Sequence, residues 1–339
     1  MVNNVLSRNE EIRNMKNFIL LTGVIFLFLV CDKDKLSDPQ SNDIDYRQEM
    51  RNFVRKISQY AKSIDEDFII IPQNGQEIIT QSGEPDGLLV SDYLTAIDGT
   101  GREDLFYGYH TDNEPTPNNE KDYLIAFCDL CEQNGIEVLT IDYCSSHDKM
   151  DSSYVWNQAK GYISFAAPER ELNIIPDYPP QPFQVNNSDI TSLRDAKNFL
   201  YLINPENFAD KQDFINAVSA TDYDLIVMDC FFDEQSFSAS EIAQLKTKQN
   251  HGSRMVVAYL SIGEAEDYRY YWQDSWRISP PDWLEEENPH WEGNYKVKYW
   301  DQDWQNIICG SDNSYLGKIL EAGFDGVYLD LIDAFEYFE

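Results

Sequence analysis

Short apolar runs that alternate with helical segments restrict the fold of this chain more than any other feature. Eight such runs are rich in β-branched and aromatic residues, and most are separated by a helical segment. The predicted strands are Asp67–Asn74, Leu94–Asp98, Val138–Tyr143, Tyr162–Ala166, Phe199–Ile203, Leu225–Asp229, Met255–Glu264 and Phe324–Asp330. The alternation predicts an α/β fold, a single-domain (β/α)8 TIM barrel over residues 45–339. An open doubly wound sheet is the alternative, but no Gly-rich dinucleotide fingerprint follows the first strand.

An amphipathic helix and a tryptophan-rich insertion accompany the predicted barrel. Residues 45–64 place apolar side chains three and four apart, so we expect this helix to cover the seam between the last and first strands. An insertion between strands 7 and 8 holds six of the seven tryptophans, which are Trp272, Trp276, Trp283, Trp291, Trp300 and Trp304. Flat aromatic rings suit the C–H faces of sugars, and a small structural core within the insertion is the alternative interpretation.

Carboxylates occur at or just beyond the ends of five predicted strands. They are Asp98, Glu103, Asp142, Asp229, Glu264 and Asp330. In a barrel these ends converge at one mouth, where like charges raise each other's pKa and let one acid keep its proton. Glycoside hydrolysis needs such a pair. Helix capping, ion pairing with arginine and a divalent metal are the competing uses of each acid.

Other kinds of site are disfavoured by the remaining chemistry-bearing residues. No two of the four histidines have the spacing of a zinc site, and none lies near a serine in a nucleophile-elbow pattern. We therefore expect neither a serine hydrolase triad nor a bound metal or cofactor. Cys128 and Cys131 form a C-x-x-C within a helical pattern, which is more typical of buried thiols than of zinc or redox sites. With 26 Lys plus Arg against 60 Asp plus Glu, the net charge of −34 opposes nucleic-acid binding and favours cationic partners. A solvated acidic surface is an equal alternative.

The N-terminal residues have the pattern of an export signal. Lys16 precedes an uncharged, mainly apolar run, residues 18–30, which is too short to span a bilayer comfortably. Cys31 follows directly, as in a bacterial lipoprotein processing site, although Val30 replaces the usual small residue. We therefore expect a signal peptide over residues 1–30, lipidation at Cys31 and a polar tether over residues 31–44. The expected location is the bacterial outer membrane or cell surface, with periplasm or secretion as the alternative and the lipid anchor as the membrane contact.

Four segments have a distinctive sequence pattern, and they are Ile71–Gly75, Asp98–Gly108, Ala258–Arg269 and Gly323–Asp330. Together they resemble glycoside hydrolase family 114, the group typified by endo-α-1,4-polygalactosaminidases. The resemblance implies a TIM barrel that hydrolyses a polymer of α-1,4-linked galactosamine, a cationic sugar. Relative to the characterised fungal enzymes, the order of the motifs is circularly shifted. The Asn that often follows the strand-end Asp is Leu331 here, and the later Asp is kept as Asp333.

The resemblance also implies roles for particular residues. Asp330 and Glu103 would be the catalytic pair. Within this pair we expect Asp330 to act as nucleophile or base and Glu103 as acid. The residues expected to line the sugar subsites are Asp229, Glu264, Asp142, Tyr259, Asn74, Arg102, Asp98 and Tyr143. The alternative is a carbohydrate-binding surface lipoprotein that holds a glycan on the tryptophan-rich lobe without cleaving it.

Overall fold

The computed structural model of the chain describes residues 44–339. The signal peptide, Cys31 and almost all of the tether predicted above therefore lie outside the described residues. Within residues 44–339, no helix is both long enough and apolar enough to cross a membrane.

Strands and helices alternate along the described residues. The strands are β1 (Ile69–Pro72), β2 (Gly99–Glu103), β3 (Glu137–Tyr143), β4 (Ile163–Ala167), β5 (Phe199–Leu202), β6 (Leu225–Asp229), β7 (Phe231–Phe232), β8 (Gln235–Ser236), β9 (Met255–Ser261), β10 (Glu264–Glu266), β11 (Leu284–Glu287), β12 (Asn294–Val297) and β13 (Gly326–Asp330). The α-helices are α1 (Tyr46–Ile64), α2 (Ser91–Leu94), α3 (Asn118–Gln133), α4 (His147–Lys160), α5 (Lys211–Ser219), α6 (Ala239–Leu245), α7 (Gln302–Ile308) and α8 (Tyr315–Ala322). Short 3-10 turns occupy Gln76–Ile79, Leu193–Asp195, Asp274–Arg277 and Ile332–Tyr337.

Two parallel sheets form the centre of the fold. One has the order β1-β13-β9-β6-β5 and the other β2-β3-β4. A parallel bridge between Gln73 and Gly101 connects β1 to β2 just beyond the end of β1. The prediction of an α/β fold with a parallel central sheet is confirmed. Because all these strands run parallel, their carboxyl ends lie at one edge of each sheet, and this carboxyl edge carries the candidate site.

The second strand lies later in the sequence than predicted. Residues 94–98 were predicted to form it, but α2 ends at Leu94 and β2 begins at Gly99. Asp98 therefore precedes the strand, and its carboxylate accepts hydrogen bonds from the Ile70 amide and from Lys62 Nζ, each at 2.9 Å. This position corrects the expectation that Asp98 lines a sugar subsite, because Asp98 lies at the opposite end of β2 from Glu103.

The amphipathic helix α1 packs against elements beside β1 and β13. Its apolar face, which includes Phe53, Val54 and Ile57, is fully buried. It contacts the 3-10 turns that follow β1 and β13, and also α8. Arg51 donates from its buried guanidinium to the carbonyl oxygens of Ile78 at 2.7 Å and Thr80 at 2.8 Å. The helix therefore buries the apolar face that its periodicity predicts, against the elements that follow β1 and β13.

The tryptophan-rich segment contains its own antiparallel sheet, in the order β10-β12-β11. Its indole rings pack on each other, with centroids 5.3 Å apart for Trp272–Trp276, 5.1 Å for Trp276–Trp283 and 5.1 Å for Trp283–Trp304. Trp304 is fully buried, while Trp291 is 57% exposed. Much of this aromatic surface is therefore buried in a local core and is not exposed to a ligand.

Candidate active site

Asp330 ends β13 and is held by two hydrogen bonds. Its Oδ2 accepts from the Tyr259 hydroxyl at 2.5 Å, and its Oδ1 accepts from the Leu331 amide at 2.8 Å. Leu331 has a φ of 63°, a left-handed conformation that Asn adopts more readily than Leu. Burial and then the negative charge of Glu103 raise the pKa of Asp330 to about 7, although the bond from Tyr259 opposes the shift. Asp330 can therefore hold a proton near neutral pH.

Glu103 ends β2 and is held from two sides. Its Oε2 accepts from Asn74 Nδ2 at 2.9 Å, and its Oε1 accepts from the Tyr143 hydroxyl. Asn74 Oδ1 in turn accepts from the Glu103 amide at 3.2 Å. Donors directed at both oxygens fix the orientation of the carboxylate. The structure thus brings together Glu103, Asn74 and Tyr143, three of the residues singled out from the sequence.

A layer of tyrosines lies among the strands beneath this pair of carboxylates. Tyr201 and Tyr328 are buried with ring centroids 5.1 Å apart, and the Tyr201 hydroxyl donates to Gln73 Oε1 at 2.8 Å. A Cβ at Gly101 would lie 1.8 Å from the Tyr328 hydroxyl oxygen, so β2 must have glycine there. Burial raises the pKa of both phenols, and the charges of Asp330 and Glu103 raise it further. The negative charges of Asp330 and Glu103 therefore both raise the pKa of the same two buried tyrosines.

A third carboxylate, Asp333, belongs to the same electrostatic cluster. Burial and then Glu336 raise its pKa to about 7, with Arg102 opposing and Glu103 adding to the shift. Arg102 donates to Gln76 Oε1 at 3.2 Å and to the Glu103 carbonyl oxygen at 2.9 Å. Arg102 thus supports the carboxyl end of β2, and its positive charge opposes the rise in the pKa of Asp333.

Asp229 ends β6 opposite Tyr259 in the strand register, and its charge is paired. Its Oδ2 lies 2.7 Å from Arg269 Nη1, and its Oδ1 accepts from the Phe231 amide at 2.7 Å. Arg269 also donates to Glu266 at 2.6 and 3.1 Å. Burial raises the pKa of Asp229, and Arg269 opposes that shift. Arg269, which links Asp229 to Glu266, was not singled out from the sequence, although it ends the Ala258–Arg269 segment.

A cavity of about 370 Å³ opens beside this ion pair. Its lining combines aromatic rings with four carboxylates and one arginine. The lining residues are Phe231, Asp233, Glu234, Asp267, Tyr268, Arg269, Tyr270, Trp272 and Asp274. Tyr268 and Tyr270 are 56% and 44% exposed, so their rings are accessible to a ligand. Trp272 is the tryptophan of the insertion that lines it.

Asp142 does not face the carboxyl edge. It is fully buried, and its Oδ1 accepts from the amides of Phe106 at 2.7 Å and Tyr107 at 3.1 Å. Its Oδ2 accepts from Ser153 Oγ at 2.6 Å and Asn157 Nδ2 at 3.1 Å. These four donors make Asp142 a structural link between β3, α4 and the loop after β2. This corrects the expectation that it lines a sugar subsite.

Glu264 is likewise buried, at 1% exposure. Its Oε1 accepts from Asn288 Nδ2 at 2.8 Å and from the Tyr337 hydroxyl at 3.1 Å. Burial raises its pKa, and both hydrogen bonds oppose the shift. Glu264 joins the tryptophan-rich segment to the last 3-10 turn, so the expectation that it contacts sugar is also corrected.

The cysteines of residues 44–339 behave as buried apolar groups. The free thiols are Cys128, Cys131, Cys144, Cys230 and Cys309, and all are buried. Burial raises the pKa of Cys128 to about 12 and that of Cys309 to about 11, so neither is a reactive thiolate at neutral pH. Among the described residues, no group of three or more His, Cys, Asp or Glu side chains is arranged to hold a metal ion.

Comparison with known proteins supports the resemblance drawn from the motifs. A family model described as glycoside-hydrolase family GH114 matches residues 183–338. This range contains Asp229, Tyr259, Asp330 and the tryptophan-rich segment. Glu103 and Asn74 lie before it.

Relatives from archaea and bacteria match parts of the chain. An uncharacterized protein of Methanocaldococcus jannaschii is 42% identical over 158 residues, which is 45% of this chain and 42% of the relative. Uncharacterized proteins of Thermotoga maritima and Deinococcus radiodurans are each 42% identical over 120 and 123 residues, covering 36% and 37% of those proteins. The chain thus spans less than half the length of each of these relatives.

Proposed function

We propose that this chain, a member of glycoside hydrolase family GH114 through residues 183–338, hydrolyses a glycosidic bond with Asp330 and Glu103 as its two carboxylates. Family membership supports a glycoside hydrolase with a carbohydrate substrate. The observation that carries the assignment of the pair is electrostatic. The negative charge of Glu103 helps to raise the pKa of Asp330 to about 7, while each carboxylate accepts a hydrogen bond from its own tyrosine.

The raised pKa supports Asp330 as the general acid. A protonated Asp330 gives its proton to the leaving oxygen as the bond from that oxygen to the anomeric carbon breaks. Glu103, which accepts hydrogen bonds from Asn74 and Tyr143, is the partner that attacks the anomeric carbon or deprotonates the attacking water. This division is the reverse of the sequence-based prediction, in which Asp330 is the nucleophile or base and Glu103 is the acid.

The substrate we propose is an α-linked amino-sugar polysaccharide similar to polygalactosamine. The acidic, aromatic cavity beside Asp229 supports this choice, because aromatic rings pack on pyranose faces and carboxylates attract ammonium groups. The net charge of −34 attracts a cationic polymer over a longer range. Asn74, Tyr143, Tyr259, Arg102 and Asp229 are the proposed residues around the bound sugars.

The architecture we propose around this site is a closed (β/α)8 barrel with the tryptophan-rich insertion between its seventh and eighth parallel strands. The bridge between Gln73 and Gly101 supports closure on one side, and the contact between β4 and β5 supports it on the other. Closure would bring β2, which carries Glu103, and β13, which carries Asp330, to the same mouth on either side of β1.

The location we propose is the bacterial outer membrane or cell surface, with lipidation at Cys31 as the anchor. The apolar run over residues 18–30 followed by this cysteine supports it. Metabolic labelling with a palmitate analogue tests it, with C31S as the control variant. Label that persists on the C31S protein would contradict the anchor.

The test of the proposed activity is hydrolysis of a panel of oligosaccharides. The panel contains α-1,4-galactosamine oligomers, their N-acetylated forms and other amino-sugar polymers. We expect cleavage of the cationic oligomers and none by the D330N or E103Q variant. Binding without cleavage, unaffected by both substitutions, would favour a carbohydrate-binding protein instead.

A further inference from the structure

Arg170 connects two loops at the carboxyl edge of the β2-β3-β4 sheet. It follows β4 by three residues, and its Nη2 donates to Asp104 Oδ1 at 2.7 Å and to the Gly108 carbonyl oxygen at 2.6 Å. Its Nε donates to Asp112 Oδ1 at 2.5 Å. All three acceptors belong to the loop that follows β2. One guanidinium group therefore fastens this loop to the end of β4, across the end of β3.

The flat face of the same guanidinium covers the ring of Tyr143. Arg170 Cζ lies 4.0 Å from the ring centroid, a cation–π distance. Tyr143 is only 2% exposed, and its hydroxyl donates to Glu103 Oε1. The contacts thus run from Arg170 to the ring, and from the hydroxyl to the carboxylate.

Gly108 makes this close packing possible. Its φ is +112°, and a Cβ there would lie 2.3 Å from Asp104 Oδ1, 3.0 Å from Arg170 Nη2 and 3.1 Å from Tyr143 Cβ. A side chain at this position would push the arginine away from the tyrosine. The loop is therefore shaped to press the guanidinium onto the ring.

We propose that Arg170 is a positioning residue, which holds Tyr143 and through its hydroxyl fixes the Glu103 carboxylate for the reaction. The proposal rests on the function proposed for Glu103. Arginine suits this role because its rigid fork makes several hydrogen bonds in one plane while the face of that plane stacks on an aromatic ring. Burial would lower the pKa of Arg170, but the charge of Asp104 outweighs it, so the group stays protonated.

Kinetics of R170M, R170K and D112N test this role. We expect R170M to lower kcat by about 10- to 100-fold with KM changed by less than about threefold, because misplacement of a catalytic group by about 1 Å costs this much. R170K keeps the charge over the ring and should recover part of the rate. D112N loosens the loop without uncovering Tyr143, and we expect it to stay within about threefold of the wild-type rate. A loss with D112N as large as with R170M would show that the loop, not the ring contact, matters.

A double-mutant cycle with Y143F separates positioning from general loop stability. If Arg170 acts through the Tyr143 hydroxyl, R170M should lower kcat by less than about threefold in the Y143F background, because the two changes share one pathway. An equal loss in both backgrounds would overturn the proposal. Thermal unfolding of each variant shows whether it folds. If R170M does not fold, R170K replaces it in the cycle.

Crystal structures of the wild type and R170M give an answer that does not need activity. We expect the Tyr143 hydroxyl to leave hydrogen-bonding distance of Glu103 in R170M. An unchanged contact would overturn the proposal. If the wild type cleaves none of the oligosaccharides, the proposed function fails, while these two structures still decide whether Arg170 holds Tyr143 in place.

Discussion

The Tyr259 hydroxyl donates a hydrogen bond to Asp330 Oδ2 at 2.5 Å, and the Tyr143 hydroxyl makes the matching bond to Glu103. Each candidate catalytic carboxylate is thus paired with a tyrosine from the adjacent strand of its own sheet. β9 supplies Tyr259 to β13, and β3 supplies Tyr143 to β2. The tyrosines set the orientation of the carboxylates, and at Asp330 the bond also opposes the upward shift of its pKa.

We expect activity to fall as the pH rises through about 7, because the proposed acid Asp330 loses its proton there. In Y259F the bond that favours the ionised form is gone, so the pKa of Asp330 rises and the alkaline limb moves upward, by on the order of one pH unit. The pH dependence of kcat/KM measures this. Y162F is the matched control, because Tyr162 makes a 2.5 Å bond to Asp129 without contacting either carboxylate. A limb that stays in place in Y259F would contradict this role for Tyr259.

We expect D330N and E103Q each to lower kcat by about 100-fold or more, the usual contribution of general acid–base catalysis.

D330N should also stabilise the fold at pH 8. Since the pKa of Asp330 is raised from 3.8 to about 7 on folding, its contribution to stability is fully present below about pH 4 and is lost as the pH rises to about 7. The gain should be on the order of 1 kcal/mol at pH 8, allowing for partial exposure, and absent at pH 4. Urea unfolding at both pH values decides, and equal gains would contradict the linkage.

Removal of the buried Asp142 carboxylate, in contrast to removal of Asp330, is expected to destabilise the fold. D142A leaves two backbone amides and the side chains of Ser153 and Asn157 without their buried acceptor, so we expect a loss of about 3–5 kcal/mol in unfolding free energy. S153A removes one of these donors and should cost about 1 kcal/mol. Denaturant unfolding measures both. If D142A has normal stability but does not bind glycan, Asp142 contacts the substrate and its structural role is contradicted.

Gly101 and Tyr328 are expected to be coupled. G101A should destabilise the protein by about 1–3 kcal/mol, because the new methyl group would overlap the Tyr328 hydroxyl. Removing that hydroxyl in G101A/Y328F should restore part of the loss. Y328F alone should be close to neutral, since the hydroxyl has no hydrogen-bond partner within residues 44–339. Losses in G101A and Y328F that simply add in the double variant would contradict the steric explanation.

Much of the strand pattern could be predicted because buried parallel strands are nearly continuous apolar runs. The second strand could not, because its sequence Gly-Thr-Gly-Arg-Glu has the composition of a loop. It is a strand because it pairs in parallel with β3, and it has glycine at position 101 because Tyr328, more than two hundred residues away in the chain, lies against it. The mistake about Asp98 follows directly, since a shift of the strand moves the acid to the other end.

Strand-end position alone could not separate functional acids from structural ones. Asp330 and Asp142 occupy similar places in their strands, yet both Asp142 oxygens accept hydrogen bonds from α4 and from the loop after β2. Asp330 instead accepts a hydrogen bond from Tyr259 and feels the like negative charge of Glu103. These partners come from distant parts of the chain. The same holds for Arg170, whose three acceptors and aromatic contact have no local sequence signal.

The ion pair between Arg47 and Glu339 has a consequence for how such a chain can be rearranged. Their side chains meet at 2.8 Å, and Arg47 also lies 4.9 Å from the ring of Phe335. The first helix and the last turn of the described fold are thus neighbours, so a short linker could join them and new ends could be opened in a surface loop. Fusion of the two ends, with new ends opened elsewhere, would reorder the motifs along the chain without changing which side chains are in contact. Chains whose segments follow one another in a different order could therefore contain the same pair of carboxylates.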